Sequence, residues 1–408
     1  LKEAAQQPHS RIVLIDALRG SALMGILLLH ATTHWSFPRY PETSSTWLGV
    51  LDARTRDLGL FLIEGKAHAI FAMMFGVSFF MLQERWTRRG IRFRGRYLWR
   101  LVVLAVLGYI DGIIYYGDVL LTIAILGMPL VFIHRLGNRS LAWIAFVLLL
   151  QVPALWGTGQ ALFVKGYQPM SRQAWVSELR LQDLYAEGSF LAVSAANAGR
   201  GQLARLGWAI ESGRYLQMMG LFVCGLLIGR SRILEDPARS VRLGRQALFW
   251  GLAGFAVLHF IKHRLGGWGL PGAGPGQVGN LLSAYRNLAQ IAVWVGAFIL
   301  LHQCTRARAA LDLLAPYGRM SLTGYVTQGL IGVPLFYGYG LALYRHLGAF
   351  QSLLLGGGIL VVQCAGAHYW LQRFRYGPLE WLWRSCTFLD FSTPMRKDER
   401  QRMLSSER

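Results

Sequence analysis

The feature that most restricts this chain is a succession of apolar runs, each close to the roughly 20 residues that a helix needs to cross a bilayer. Ten such runs cover almost all of the 408 residues, at about 12–34, 58–82, 98–116, 118–135, 140–164, 208–229, 246–262, 283–303, 319–344 and 350–371. The composition agrees, since 53% of residues are hydrophobic and only 15% are charged, too apolar a balance for two or three soluble domains. The expected fold is therefore all-α: one polytopic membrane domain over 1–408, a bundle of about ten transmembrane helices. A polar extramembrane link is expected at 165–205 and a basic tail at 372–408.

Charge sharpens the topology. The chain carries a net +21, which in a soluble protein would suggest nucleic acid. Here the arginines sit in short links between apolar runs, where loop charge sets orientation. ERWTRRGIRFRGRYLWR, HRLGNR, RSRILEDPARSVRLGR and TRARA are the even-numbered links, and all are basic, as is the tail; YYGD, between the third and fourth runs, has no arginine. Both termini are therefore expected in the cytoplasm, and no nucleic-acid partner is expected. Cys224, Cys304, Cys364 and Cys386 show no CxxC spacing, so neither a disulfide framework nor a metal site is expected. No cleavable signal pattern follows the first run, which is expected to remain as a span. Glycine-rich runs such as GLFVCGLLIG fit close helix packing and are compatible with a homodimer.

Ionisable side chains inside such runs are costly and point to function or to a specific pairing. In the first run, Arg19 and His30 are eleven residues apart, close to three turns, which puts them on one face about 16 Å apart along the axis. Asp16 lies one turn before Arg19 and can neutralise it, and His34 lies one turn beyond His30. In the second run, Glu64 and His68 share a face at i,i+4 and Lys66 points elsewhere; Glu64 is expected near the level of His30. Asp111, Asp118, Glu211 and Arg214 extend the set, and most of these groups fall in the outer half. A polar chamber opening outward is the expected arrangement. Each residue taken alone also has a structural reading, as a helix-to-helix hydrogen bond, a snorkelling pair or a solvated helix end.

Longer blocks carry a resemblance. RIVLIDALRGSALMGILLLH, FLIEGKAHAIFAMMFGVSFF, LGYIDGIIYYGDVLLTIAILG, LYAEGSF, and GRMSLTGYVTQGLIGVPLFYGYGLALY with RFRYGPLEWLWRSCTF resemble the YeiB-like family of bacterial membrane proteins, over nearly the whole chain. That family, long described as a domain of unknown function, is distantly similar to membrane acyltransferases: the bacterial O-acetylating families and heparan-glucosaminide N-acetyltransferase. The resemblance implies a multipass protein of the bacterial inner membrane. It also implies acetyl-CoA as cytoplasmic co-substrate and a periplasmic sugar or other hydroxyl or amine as acceptor. In the O-acetylating families an arginine and a histidine separated by ten residues mark the first span, and Arg19 and His30 have that spacing. The family pattern more often has asparagine at the position of His30 and a histidine at that of Asp111.

The expected chemistry follows. Arg88, Arg89, Arg92, Arg94 and Arg96 would hold the donor phosphates. His30, oriented by Glu64 or a water, would take the proton of the attacking acceptor; Arg19 would lie near the thioester or brace the first span through Asp16. Tyr167, Trp175 and Tyr185 of the 165–205 link are candidate sugar contacts or interfacial anchors. The rival expectation is a proton-coupled small-molecule transporter, in which Arg19, His30, Glu64 and Asp111 would line a proton path.

Overall fold

A computed structural model describes residues 12–37, 39–41, 47–168, 181–211 and 213–397, apart from the side chains of 204, 206, 208 and 211. The chain begins with α1 (Val13–Thr32), α2 (Trp47–Leu62), α3 (Lys66–Arg88) and α4 (Phe93–Ile114). Short helices α5 (Leu120–Gly127) and α6 (Leu130–Ile133) follow, then α7 (Asn138–Leu149) and α8 (Val152–Phe163). Within the polar link lie α9 (Leu181–Glu187) and α10 (Phe190–Ala196), and a π turn leads into α11 (Gln202–Glu211). Next come α12 (Arg214–Ser231) and the long hairpin α13 (Pro237–Arg264) and α14 (Gly274–Leu301). The last group is α15 (Thr305–Asp312), α16 (Ala315–Arg319), α17 (Ser321–Phe336), α18 (Ala349–Arg373) and α19 (Pro378–Phe388).

The chain is an all-α membrane protein, with no strand among the described residues beyond an isolated bridge between Phe374 and Arg396. Each of the ten expected runs overlaps helix, though several are broken. Six helical stretches are long and apolar enough to cross a membrane: Val13–Thr32, Trp47–Arg88, Phe93–Ile114, Asn138–Phe163, Gly274–Leu301 and Ala349–Arg373. The expected runs at 118–135 and 319–344 are instead interrupted. Pro129 separates α5 from α6, and Pro334 precedes the end of α17 at Phe336.

Three further interruptions matter more. The expected 58–82 run is two helices, because Gly65 at φ +75° breaks the path between α2 and α3. Lys66 Nζ caps the break by donating to the carbonyls of Phe61 (2.7 Å) and Leu60 (3.3 Å). That explains why Lys66 points away from the face of Glu64 and His68. Gln151, in the left-handed region at φ 54°, separates α7 from α8, and Gly213 precedes α12. Non-helical backbone at membrane depth persists only where protein or a water-filled cavity satisfies it.

α1 is the central helix, packed on α3, α16, α17 and α18. Without a hydrophobic drive between helices in lipid, association depends on close van der Waals packing. The α3–α12 contact supplies it: a Cβ at Gly225 would run into the Met73 carbonyl, and one at Gly76 into that of Phe222. The α13 helix starts at Asp236, whose side chain accepts from the amides of Ala238 (2.9 Å) and Arg239 (3.2 Å). It packs on α14 and turns Phe249, Trp250, Val257 and Phe260 outward, as a lipid-facing helix would.

The C-terminal segment is a clamp. Half-buried Glu380 of α19 accepts from the amides of Leu322 (2.7 Å) and Thr323 (3.0 Å) and from Thr323 Oγ1 (2.6 Å), so it caps α17 from a distance in sequence. Trp383 Nε1 donates to the Arg100 carbonyl (2.8 Å) and Trp99 Nε1 to that of Cys386 (2.9 Å), tying α19 to α4.

Candidate functional site

The end of the bundle opposite the arginine-rich link encloses a cavity of about 420 Å³. Its walls come from the C-terminal turn of α1, the α2–α3 break, the turn after α4, and helices α11 and α12. His30 reaches it because α1 ends one turn later in consecutive left-handed residues, His34, Trp35 and Ser36 (φ 48°, 54° and 65°). This sharp reversal folds Trp35 back against His30, with ring centroids 6.3 Å apart.

His30 is 5% exposed. Its ring lies between Tyr115 (5.1 Å, edge-on) and His68 (5.9 Å), and both histidines line the cavity. Among the described residues no hydrogen-bond donor or acceptor reaches either imidazole, whereas His34, four residues on, has both nitrogens engaged. A buried imidazole is seldom left unpaired. Buried His30 and half-buried His68, facing one cavity, form a place prepared for a ligand.

Several expected groups meet there. Glu64, exposed at the α2–α3 break, stands on the cavity wall with His68 although the helix is interrupted between them. Among the described residues it makes no bond to His30, so His68 and Tyr115 are the groups that flank that ring. Asp118 lines the wall, is fully buried, and accepts from the amides of Leu120 (2.9 Å) and Leu121 (3.2 Å). Arg214 lines it from the first residue of α12, its guanidinium lying over Gly65.

Other expected groups lie elsewhere. Arg19 and Asp16 do pair, at 3.2 Å, but Arg19 also donates to Ser78 Oγ (2.5 Å), which braces α1 against α3 away from the cavity wall. His34 is fully buried behind the turn, bonded to Ser352 Oγ (2.9 Å) and the Arg39 carbonyl (2.8 Å) and stacked on Phe336. Asp111 sits behind Asp118, 3% exposed. The side chain of Glu211 and the whole of Trp175 lie outside the described residues. Tyr185 is 1% exposed, stacked between Tyr116 (5.4 Å) and Tyr337 (4.8 Å) with its hydroxyl on Asn197 Oδ1, so it offers no ring face to a sugar. Tyr167 is half-buried, with its hydroxyl against α8 near Gly157.

Arg88, Arg89, Arg92, Arg94 and Arg96 are all exposed at the far end of α3 and the start of α4. Arg88 pairs with Glu84 (2.8 Å), and Arg96 stacks over Phe388 (5.0 Å). Twenty residues of α3 separate Arg88 from His68, roughly 30 Å.

Sequence reasoning missed Arg205, whose Nη1 lies 3.7 Å from Asp118 Oδ2, and the wall residues Tyr115, Thr122, Tyr215 and Gln217. No local signal marks them. Arg205 closes the polar link and pairs across 87 positions, a contact that periodicity does not encode.

Residues 228–390 match the family model described as protein of unknown function (DUF418). Over nearly the whole length, the chain is 27% identical to the uncharacterized protein YxaH of Bacillus subtilis (strain 168), covering 95% of this chain and 97% of that one. It is 28% identical to the uncharacterized protein YeiB of Escherichia coli (strain K12), covering 92% and 96%. It is 27% identical to the uncharacterized 39.9 kDa protein in the amylase 3′ region of Bacillus acidopullulyticus, covering 93% and 94%. The chain is thus similar to YeiB over nearly its full length, as its sequence blocks implied, and residues 228–390 match the DUF418 model.

Proposed function

We propose that this protein is a membrane acyltransferase, moving an acetyl or other short acyl group from cytoplasmic acyl-CoA to a hydroxyl or amine of an envelope acceptor, a sugar by preference. In this reading it spans the bacterial inner membrane about ten times with both termini in the cytoplasm. The observation that carries the reading is the pair of imidazoles, buried His30 and half-buried His68, that face one cavity with no hydrogen bond among the described residues.

A histidine base needs a free ring nitrogen within hydrogen-bond reach of the acceptor proton and a wall that excludes bulk water. His30 has both. The acceptor oxygen or nitrogen attacks the acyl carbonyl as His30 takes its proton; the carbon–sulfur bond breaks, and the proton is returned to the departing CoA thiolate. His68, beside His30, is placed to hold the ring or to pass the proton. Such base catalysis contributes on the order of 10²–10⁴ in rate. Donor phosphates would rest on the exposed arginines from Arg88 to Arg96, and the acyl end would travel along α3, past Ser78 and Arg19, to the histidines. The Gly76–Gly225 contact lies on that path and would part to admit it.

Titration of the purified full chain with acetyl-CoA, followed by thermal unfolding, tests the donor. At about 100 times its dissociation constant the donor stabilises by roughly 2.7 kcal/mol. Saturable stabilisation that CoA shares and ATP does not supports the reading; its absence with every acyl length, in folded protein, removes it.

The second reading, a proton-coupled transporter, is favoured by the three interrupted helices around the cavity, a device that transporters use at their substrate sites. It requires uptake in vesicles that responds to a proton gradient and is indifferent to CoA compounds.

A further inference from the structure

Beside the cavity, at the meeting of the three interrupted helices, cationic side chains gather where a membrane protein ordinarily avoids them. Lys66 begins α3, and the charges of Arg214 and Arg286 both act on it. Gln290, one turn beyond Arg286, donates to the Phe61 carbonyl (3.4 Å) that also accepts from Lys66 (2.7 Å), and Lys262 Nζ donates to Ser283 Oγ (2.5 Å), one turn before Arg286. Arg214 opens α12, and a Cβ at Gly65 would come within 2.8 Å of its Nη1, so the left-handed glycine keeps this spot open.

Glu64 is the carboxylate whose charge acts on Lys66 among the described residues. The new helix starts add partial positive charge and backbone N–H groups, as α3 and α12 both begin here. An independent observation points the same way. Gln151 is 1% exposed and its Nε2 has no acceptor among the described residues, while its Oε1 lies 3.2 Å from where a Gly213 Cβ would be, at the start of α12. A buried amide donor left without an acceptor is costly, and an anion at the junction would supply one.

We propose that this junction binds a phosphate group on a ligand whose remaining part enters the cavity. Several cations beside two helix starts suit a dianion better than a carboxylate. The phosphate would come either from a phosphorylated soluble molecule or from a lipid headgroup. Assigning it to the acyl acceptor rests on the acyltransferase reading; binding of the anion does not.

The test uses the full-length protein with no acyl donor present. Inorganic phosphate and glycerol 1-phosphate are titrated by calorimetry, with glucose as the neutral control. Both anions bind saturably in wild type, and Arg286→Gln and Lys262→Gln each weaken them by about tenfold. Neither residue caps a carbonyl, and each variant is checked by its unfolding curve. Reconstitution in nanodiscs identifies the source: phosphatidylglycerol that abolishes phosphate binding, where phosphatidylcholine does not, makes a lipid headgroup the occupant. Unchanged binding in both lipids makes it a soluble phosphate ester. Folded wild type that binds neither anion, or folded variants that bind as wild type does, overturns the site. Anion binding without acyl transfer would leave the site standing and remove only the acceptor assignment.

Discussion

The two ends of this bundle are both rich in polar side chains, and they use them in opposite ways. At the arginine-rich end, the half-buried charged groups that tie α19 to the bundle are engaged by the protein: Glu380 takes three hydrogen bonds from the start of α17, and Arg100 stacks 3.4 Å from the Trp383 ring centroid. At the cavity end, His30 and His68 are buried or half-buried with ring neighbours but no hydrogen bond among the described residues. A polar group that costs free energy to bury and is then left unpaired serves something other than the fold. Polarity inside a membrane protein is thus informative through its partners, rather than through its presence.

Substitutions sharpen that contrast, beginning with the largest effect. His30→Gln keeps much of the volume and removes the base; acyl transfer is expected to fall by about 10²–10⁴, while stability in detergent changes by less than roughly 1 kcal/mol. A parallel loss of folding would move His30 to the structural side. Glu380→Ala should do the reverse, costing roughly 2–3 kcal/mol in chemical unfolding, since it strands two backbone amides of α17. Residual folded protein should still bind ligands in the cavity. Arg19→Lys keeps the charge but loses the planar fork that spans Asp16 and Ser78, and about 1 kcal/mol of stability is expected to go with it. A selective loss of acyl transfer without that destabilisation would bring Arg19 into the reaction. Arg88→Ala removes a solvent-exposed i,i+4 pair and should change stability by no more than about 0.5 kcal/mol. Weaker acetyl-CoA binding in this variant would tie the arginine-rich end to the donor.

Much of this was legible from the chain, and the reason is locality. The Asp16–Arg19 pair sits at i,i+3 and forms as spacing requires. Apolar period and length mark α1, α4 and α18 within a few residues of their observed ends. His30, Glu64 and His68 also meet as expected, because two neighbouring helices that run antiparallel bring their outer turns to one level. His34 shows where such reasoning stops. One turn from His30, it shares the helix face pattern but is claimed by Ser352, 318 positions away. Tyr185 likewise reads as a candidate sugar platform until Tyr116 and Tyr337 cover both of its faces.

The sequence by itself determined an all-helical membrane protein with ionisable groups at defined heights, because hydrocarbon demands long apolar helices and periodicity is written locally. Only the tertiary structure decided which of those groups are paired. It broke helices at Gly65, Gln151 and Gly213, placed Arg205 on Asp118, and left His30 and His68 facing an open volume. Partner choice in a bundle depends on which faces meet across hundreds of residues, and no spacing along one chain carries that information.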